Sequence, residues 1–446
     1  MMIRFLLSLI AALLPTTAFV APKGDVAYDI VEGLTTEVGQ RLAGTEAEAR
    51  ARDWAVVKLK ALGFSNVRIE TYDMPVWVRG TETAEIVSPF PQKMVVTALG
   101  NSGSTGDVGL TLPIVAFDSL DALKAAQPAS VKGKIVFVSH AMKAAQDGSG
   151  YGPFGAARRQ GPSIASKMGA AAILVRSIGT DHSRGPHTGV QNWADGATPI
   201  PAGALSVADA ENLQRILARG KPVVMKLVMT PRQVGMQQSG NVIAEGPGIE
   251  RDAGLVVVGG HLDSWDLGTG ALDDAAGIAI TTAAAKAILD TGKTPRRTIR
   301  VIWWGAEEVG AFGGADYFKR HKAHPHALVA ESDFGADRVW RLDVKLPTGA
   351  VAVGERLASA LAPLGIPKSK EVAGGGADIG LFVAAGVPVI DLQQDGTRYF
   401  DYHHTPEDTL DRIDPVQLAQ NVAAWTIMLD IVANAPEDLM AGQTPQ

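Results

Sequence analysis

From residue 241 onward the apolar positions come in short continuous runs separated by stretches of helical spacing. Residues 254–259, 298–304, 327–332 and 387–392 are such runs. A run that is apolar on both faces suits a strand buried on both sides of a parallel sheet. Residues 275–289 form an Ala-rich helical pattern between the first two runs, and residues 311–319 a second helix after them. Strands alternating with helices predict an α/β fold with a doubly wound, mainly parallel sheet. Upstream, residues 25–63 carry helical spacing, with Trp54, Val57, Leu59 and Leu62 on one stripe and Gly63 as a stop. Residues 67–72 alternate like a strand, and Pro89 and Pro91 mark a candidate boundary. Between residues 100 and 231 the texture differs. Short β-runs at 110–117, 134–139, 171–176 and 223–229, and a helix at 206–219, are separated by Gly- and Pro-rich links. This predicts a smaller, β-rich domain over 100–231, inserted into a discontinuous domain of 22–99 and 232–446.

The amino terminus changes the picture first. Arg4 precedes an apolar stretch over residues 5–14, broken only by Ser8, and small residues follow at Thr16, Thr17, Ala18 and Ala21. Residues 1–21 therefore read as a signal peptide, and the chain as exported to the periplasm or the medium. The stretch is too short to span a bilayer, so no membrane span is expected once it is removed; an uncleaved anchor is the alternative. The net charge of −6 is spread along 446 residues without a basic block, which argues against a nucleic-acid partner. The chain has no Cys. That excludes disulfides and a thiolate nucleophile, and leaves any transition metal to His and carboxylate ligands.

Ligands of open α/β sheets gather beyond the carboxyl ends of the strands. The first run ends in Gly260-His261-Leu262-Asp263-Ser264, the second in Gly305-Ala306-Glu307-Glu308, the third in Ser332-Asp333. Three successive strands ending in His or carboxylate argue for one shared cationic site. Asp273-Asp274 opens the next helix, where carboxylates complement the positive helix end; the pair also reads as a plain N-cap. The segment His403-His404-Thr405-Pro406-Glu407-Asp408-Thr409 is a further ligand segment or an exposed turn before a helix. His321, His324 and His326 are closely spaced and Pro-interrupted, and read as a solvated loop rather than a metal tract. Gly374-Gly375-Gly376 lacks dinucleotide spacing and reads as a loop with unusual dihedrals. No H-E-x-x-H helix, G-x-S-x-G elbow or Walker loop occurs. Peptide hydrolysis by two zinc ions ~3.5–4 Å apart needs a bridging carboxylate, then one His and one carboxylate per ion. A carboxylate outside that set must move the proton from water to the leaving amine.

At these residues the chain resembles the co-catalytic di-zinc exopeptidases, a family that includes bacterial leucyl aminopeptidases and plasma glutamate carboxypeptidase. GGHLDSWDLGTGALDDAAG (259–277) is similar to the family's H-x-D-S…G-A-x-D-D signature. WWGAEEVGAFGG (303–314) is similar to its paired-Glu motif, and ESDFG and HHTPEDTLD to its last two ligand segments. The resemblance implies two zinc ions per chain, with His261 on one ion, Asp273 bridging, and Glu308, Asp333 and His404 as the other ligands. His404 is chosen over His403 by its H-x-x-x-D-T spacing. The resemblance further implies Glu307 as general base and then acid, and Asp263 as the carboxylate that orients the His261 imidazole. GPHTGVQNWADGATPIP (185–201), RLAGTEAEARARDW, VWVRG and GGGADIGLFVAAGVP resemble the plasma glutamate carboxypeptidase branch, and 100–231 a protease-associated domain. The branch implies action on dipeptides and a possible homodimer. Asp401, inside Tyr399-Phe400-Asp401-Tyr402, departs from its pattern.

Two other readings share the fold: a single-zinc, glutaminyl-cyclase-like acyltransferase, and a non-catalytic, transferrin-receptor-like binding protein. The inserted domain argues against the first, and the complete ligand set against the second. Within the leading reading the substrate is a short peptide, with aminopeptidase or dipeptidase action on a free amino terminus favoured over carboxypeptidase action. Asp378 and Arg398 are candidates for holding a terminal ammonium and carboxylate, with Tyr402 and His403 beside them; a turn Asp and a surface Arg are the plain alternatives.

Overall fold

A computed structural model describes residues 25–442; the expected signal peptide lies outside them. Two sheets organise the chain. The first has seven strands, in the order Ser65–Val78, Arg232–Gly246, Ile299–Trp304, Leu255–His261, His326–Glu331, Val389–Gln394, Val339–Lys345. The four strands read from continuous apolar runs lie side by side and parallel. Three antiparallel strands flank them, two on one edge and one on the other, so the sheet is mixed. Of the flanking strands, Ser65–Val78 contains the alternating residues 67–72, whereas Arg232–Gly246 and Val339–Lys345 escaped the apolar pattern because each is buried over only part of its length. Arg232–Gly246 is solvent-facing over its first seven residues and buried over the rest.

Successive residues of the central strands feed opposite faces, as a two-residue period requires. Val256 and Val258 join one apolar cluster and Val257 another. Helices Ala276–Asp290, Val351–Leu361 and Pro415–Asn434 cover the first face together with the amino-terminal helices. Phe312–His321 and Gly380–Ala384 cover the second. Pro415–Asn434 is long and apolar enough to cross a membrane, yet its Leu418, Trp425, Met428 and Leu429 are buried in this core. Asp414 caps it by accepting from the Val416 and Gln417 amides, with Pro415 at the first helical position.

The expected helix over 25–63 is two helices, Val26–Gly33 and Glu46–Ala61, with a π-turn at Leu34–Val38. Ala51, Ala55 and Leu59 form the buried stripe of the second, whereas Val57 is 69% exposed. The His tract is a solvated turn only at His324, which is exposed. His321 meets Glu70 at 2.7 Å, and His326 begins a buried strand, where burial pushes its pKa down to about 4.

The second sheet has eight strands, all between Glu82 and Leu205 or at Val224–Met229. Residues 82–98, expected with the first unit, pair here; Pro89 and Pro91 sit in the connection between Glu82–Ser88 and Gln92–Met94. The chain leaves the first sheet at Val78 and re-enters at Arg232, its register partner. Helix Tyr151–Lys167 was not expected, since Gly152, Pro153, Gly155, Gly161 and Pro162 break its pattern.

Candidate active site

Parallel register sets the strand ends side by side. His261 pairs with Trp304, and Gly259 with Glu331, so His261, Glu307, Glu308 and Asp333 emerge at one edge of the sheet. The turn after Ile299–Trp304 passes through Ala306 in a left-handed conformation, φ 59°. Backbone strain of this kind persists where its surroundings impose it. Here Asp263 does so, accepting from the Glu307 amide at 3.0 Å and the Glu308 amide at 3.3 Å. Asp273 is held similarly, because the Asp408 carboxyl accepts from the Leu272 and Asp273 amides at 2.6 and 3.3 Å. The Asp274 carboxyl accepts from the His261 and Gly277 amides. A Cβ at Gly277 would lie 1.8 Å from the Ser332 carbonyl oxygen, so only glycine lets this helix approach the strand end.

Asp273 lies at the centre. Its Oδ1 is 3.0 Å from His261 Nε2, which is itself 3.5 Å from Asp333 Oδ1. Its Oδ2 is 3.3 Å from His404 Nε2, which is 2.9 Å from Glu308 Oε2. One carboxylate therefore faces two donor sets, each with one imidazole and one further carboxylate. His403 Nε2 also approaches Asp273 Oδ2, at 3.6 Å, and its ring stacks on His404 at 3.5 Å between centroids. His261, Asp273, Glu308, His403 and His404 are all buried. Asp273 Oδ2 and Glu308 Oε1 are buried without a hydrogen-bond partner.

The charges follow from this crowding. Burial opposes charging the His261 ring, but Asp333 and Asp273 outweigh it and hold its pKa well above the ordinary value. Burial likewise opposes charge on His404, and Glu308 and Asp273 reverse it. Burial and the neighbouring Asp273 push Glu308 up to about 7. Glu307 is raised well above its usual range by burial, with Asp333, Glu308 and Asp263 adding to the shift. Four carboxyls crowd two imidazoles here, and a cation bound among them would offset the repulsion between the carboxylates. The donor set of nitrogen and oxygen atoms fits borderline divalent metals.

Residues 241–428 match the model of peptidase family M28. Carboxypeptidase Q of Bos taurus is 35% identical over 92% of this chain and 86% of its own. The chain belongs to peptidase family M28. Carboxypeptidase Q of Homo sapiens is 34% identical over the same shares. The crystal structure of a peptidase M28 precursor from Shewanella amazonensis is 46% identical and superposes with a TM-score of 0.92, covering 95% of this chain and 96% of that one. A zinc aminopeptidase from Bacillus subtilis shares the fold, with 21% identity, a TM-score of 0.66 and 94% and 98% coverage.

In this M28 peptidase the cluster opens into a cavity of about 360 Å³. Glu307, Glu308, Asp273 and Asp333 line it from the first sheet, and Tyr151, Arg158 and Val190 line it from the second. Three sequence-read candidates stand apart. Arg398 is tied to Asp337 by two bonds of 2.6 Å, and Tyr402 lies under the Arg412 guanidinium, 4.7 Å from its ring centroid. Asp378 is buried, does not line the cavity, and has both carboxyl oxygens unpartnered; burial and then Glu331 raise its pKa well above the usual range. Asp263 meets His261 Nδ1 through its backbone carbonyl at 2.9 Å, while its carboxylate, 3.8 Å away, holds the Glu307-Glu308 turn. Asp401 accepts from Thr180 Oγ1 at 2.6 Å and does not line the cavity.

Sequence reading missed several supports. Arg41 is fully buried and donates to the carbonyls of Leu262, Thr269 and Gly270, lacing together the loops that carry Asp263 and Asp273. His187 bonds the His403 carbonyl through Nδ1 and Asp181 through Nε2, each at 2.7 Å. Thr188 donates its amide to the His404 carbonyl at 3.0 Å, and its own carbonyl lies 3.2 Å from His404 Nδ1. The GPHTG stretch had marked this segment, but not what it touches.

Proposed function

We propose that this M28 peptidase is an exported di-zinc exopeptidase that hydrolyses short peptides with a free amino terminus. The carrying observation is Asp273, whose two carboxylate oxygens face two separate His-plus-carboxylate sets. His261 and Asp333 would hold one ion, His404 and Glu308 the other, with Asp273 between them. Bound there, the pair supplies Lewis acidity that acidifies water and polarises a peptide carbonyl. The chain's own residues do the rest. Glu307 lines the cavity outside both sets and takes the proton from water, then delivers it to the leaving amine. Asp263 and Asp408, by fixing the backbone on either side, hold Glu307, Glu308 and Asp273 in register. The acidic wall favours a substrate ammonium. The signal-like residues 1–21 support export, and residues 82–229 support a protease-associated insertion that closes the cleft.

Metal analysis, chelation and a substrate panel test this reading. The expected result is two zinc ions per chain, loss of hydrolysis on chelation, recovery with zinc, and cleavage of free but not N-acetylated peptides. Hydrolysis that survives exhaustive chelation would overturn the metal assignment, and ready cleavage of N-acetylated peptides the amino-terminal requirement.

A further inference from the structure

Arg158 is the only Arg or Lys among the described residues lining the cavity. It stands on helix Tyr151–Lys167, on the wall supplied by the second sheet, across the cleft from Glu307, Glu308 and Asp333. The residue is 5% exposed. Burying a guanidinium is unfavourable unless its donors are satisfied. The other buried arginines are held by carboxylates or by several carbonyls; even Arg176, whose Nε is also unpartnered, is paired with Glu211. Arg41 and Arg297 are saturated by backbone carbonyls, and Arg300 is paired with Glu245. Arg158 is not. Its Nη1 donates to the Thr188 carbonyl at 3.2 Å, its guanidinium carbon lies 5.5 Å from the Tyr151 ring centroid, and its Nε has no partner. Space for the group is also built in. Gly189 has φ +139°, and a Cβ there would lie 2.1 Å from Nη1.

We propose that Arg158 receives the free α-carboxylate of the substrate, so that the cleft reads the carboxyl end of a very short peptide as well as the bond it cuts. The proposal rests on the peptidase reading and names the residue that sets substrate length. A guanidinium presents parallel N–H donors in a fork that matches a carboxylate, which a lysine cannot reproduce. The cavity is near the small end of the 300–1,000 Å³ range of small-molecule pockets. One wall is acidic and the other carries a single fixed cation, a complement to the two ends of a zwitterionic dipeptide. Thr188 and Tyr151 hold the guanidinium in place before substrate arrives, which limits the ordering needed on binding.

The test compares three substrates with the zinc-loaded full chain: alanyl-alanine, alanyl-alaninamide, and alanyl-glutamic acid α-amide. The third offers a carboxylate on the side chain instead of the terminus. Wild type should prefer alanyl-alanine to alanyl-alaninamide by about 10- to 100-fold in kcat/KM, the range for a charge-assisted hydrogen-bonded pair. In Arg158→Met the preference should vanish through a rise in KM for alanyl-alanine, with alanyl-alaninamide turned over within about threefold of wild type. Arg158→Lys should restore part of the preference. The amide rate reports folding of each variant, and the wild-type acid-to-amide ratio needs no variant. Equal wild-type rates on acid and amide would overturn the anchor while leaving the peptidase reading intact. An equal fall on all three substrates in both variants would also overturn it, making Arg158 a structural residue. Preference for the side-chain carboxylate over the terminal one would overturn the α-carboxylate assignment. Hydrolysis of none of them by wild type would bring down the peptidase reading and the anchor with it.

Discussion

The proposed mechanism gives the neighbours Glu307 and Glu308 different tasks, and the distinction rests on which atoms each meets. Glu308 Oε2 is 2.9 Å from His404 Nε2 and belongs to a donor set around Asp273. Glu307 belongs to neither set and faces the cavity. Glu307→Gln should therefore keep two metal ions per chain and lose about 10²–10⁴-fold in kcat, the usual worth of a positioned acid–base group. Glu308→Gln should lose metal first. Metal content and steady-state hydrolysis of both variants decide it; near-normal turnover in Glu307→Gln would remove it as the base. His261, Glu307, Glu308 and Asp333 were legible in the sequence because a strand-end position is a local property. Arg41, Asp408 and His187 were not. Their work is to bond backbone groups more than a hundred residues away, and no spacing records that.

The same contrast holds between elements. Strands buried on both sides announced themselves as apolar runs, and all four were placed to within two residues at each end. Arg232–Gly246, Val339–Lys345 and helix Tyr151–Lys167 did not, because partly buried strands and a helix rich in Gly and Pro carry little periodicity; among the flanking strands only Ser65–Val78 showed, through the alternation over residues 67–72. Tertiary pairing decides such elements. One pairing makes a pH prediction. Glu70, on Ser65–Val78, meets His321, on Phe312–His321, at 2.7 Å and Arg68 at 2.8 Å. Burial alone would raise the Glu70 pKa, but the bonds from His321 and Arg68 prevail and lower it to about 2. The unfolded value is about 4.3. A depressed folded pKa contributes stability that is complete above the unfolded value and disappears as pH falls toward the folded one. Wild type should thus lose this contribution between about pH 5 and pH 2. Glu70→Gln should be less stable than wild type at pH 7 and converge with it in acid. Urea unfolding at pH 7, 4 and 3 measures the difference; parallel curves for the two proteins would show that the pair does not couple helix to strand.

The cleft exists only because two sheets meet, and one metal-facing loop is held from both sides. His404 adopts φ 63°, a conformation uncommon outside glycine. Its carbonyl and ring are bonded to Thr188, the His403 carbonyl to His187, and the Phe400 carbonyl to the Thr180 amide. Arg79 and Asp266 join the same two parts through bonds of 2.8–3.0 Å. Metal binding should therefore stabilise more than its ligands. A ligand that binds only the folded state contributes RT ln(1 + [L]/Kd), about 2.7 kcal/mol at a hundred times Kd. Local opening of the loops that frame the site falls by the same linkage. Zinc added to chelated protein should slow amide exchange over residues 399–408, and also over residues 177–191, which contribute no ligand. Asp181→Asn should weaken the second effect, since it removes the carboxylate that orients His187, and should lower affinity for one of the two ions by about 10–100-fold. Hydrogen-exchange mass spectrometry with zinc titration resolves both segments and both ions. Protection confined to 399–408, with Asp181→Asn binding both ions as wild type does, would mean that the second sheet walls the cleft without steadying its metal site.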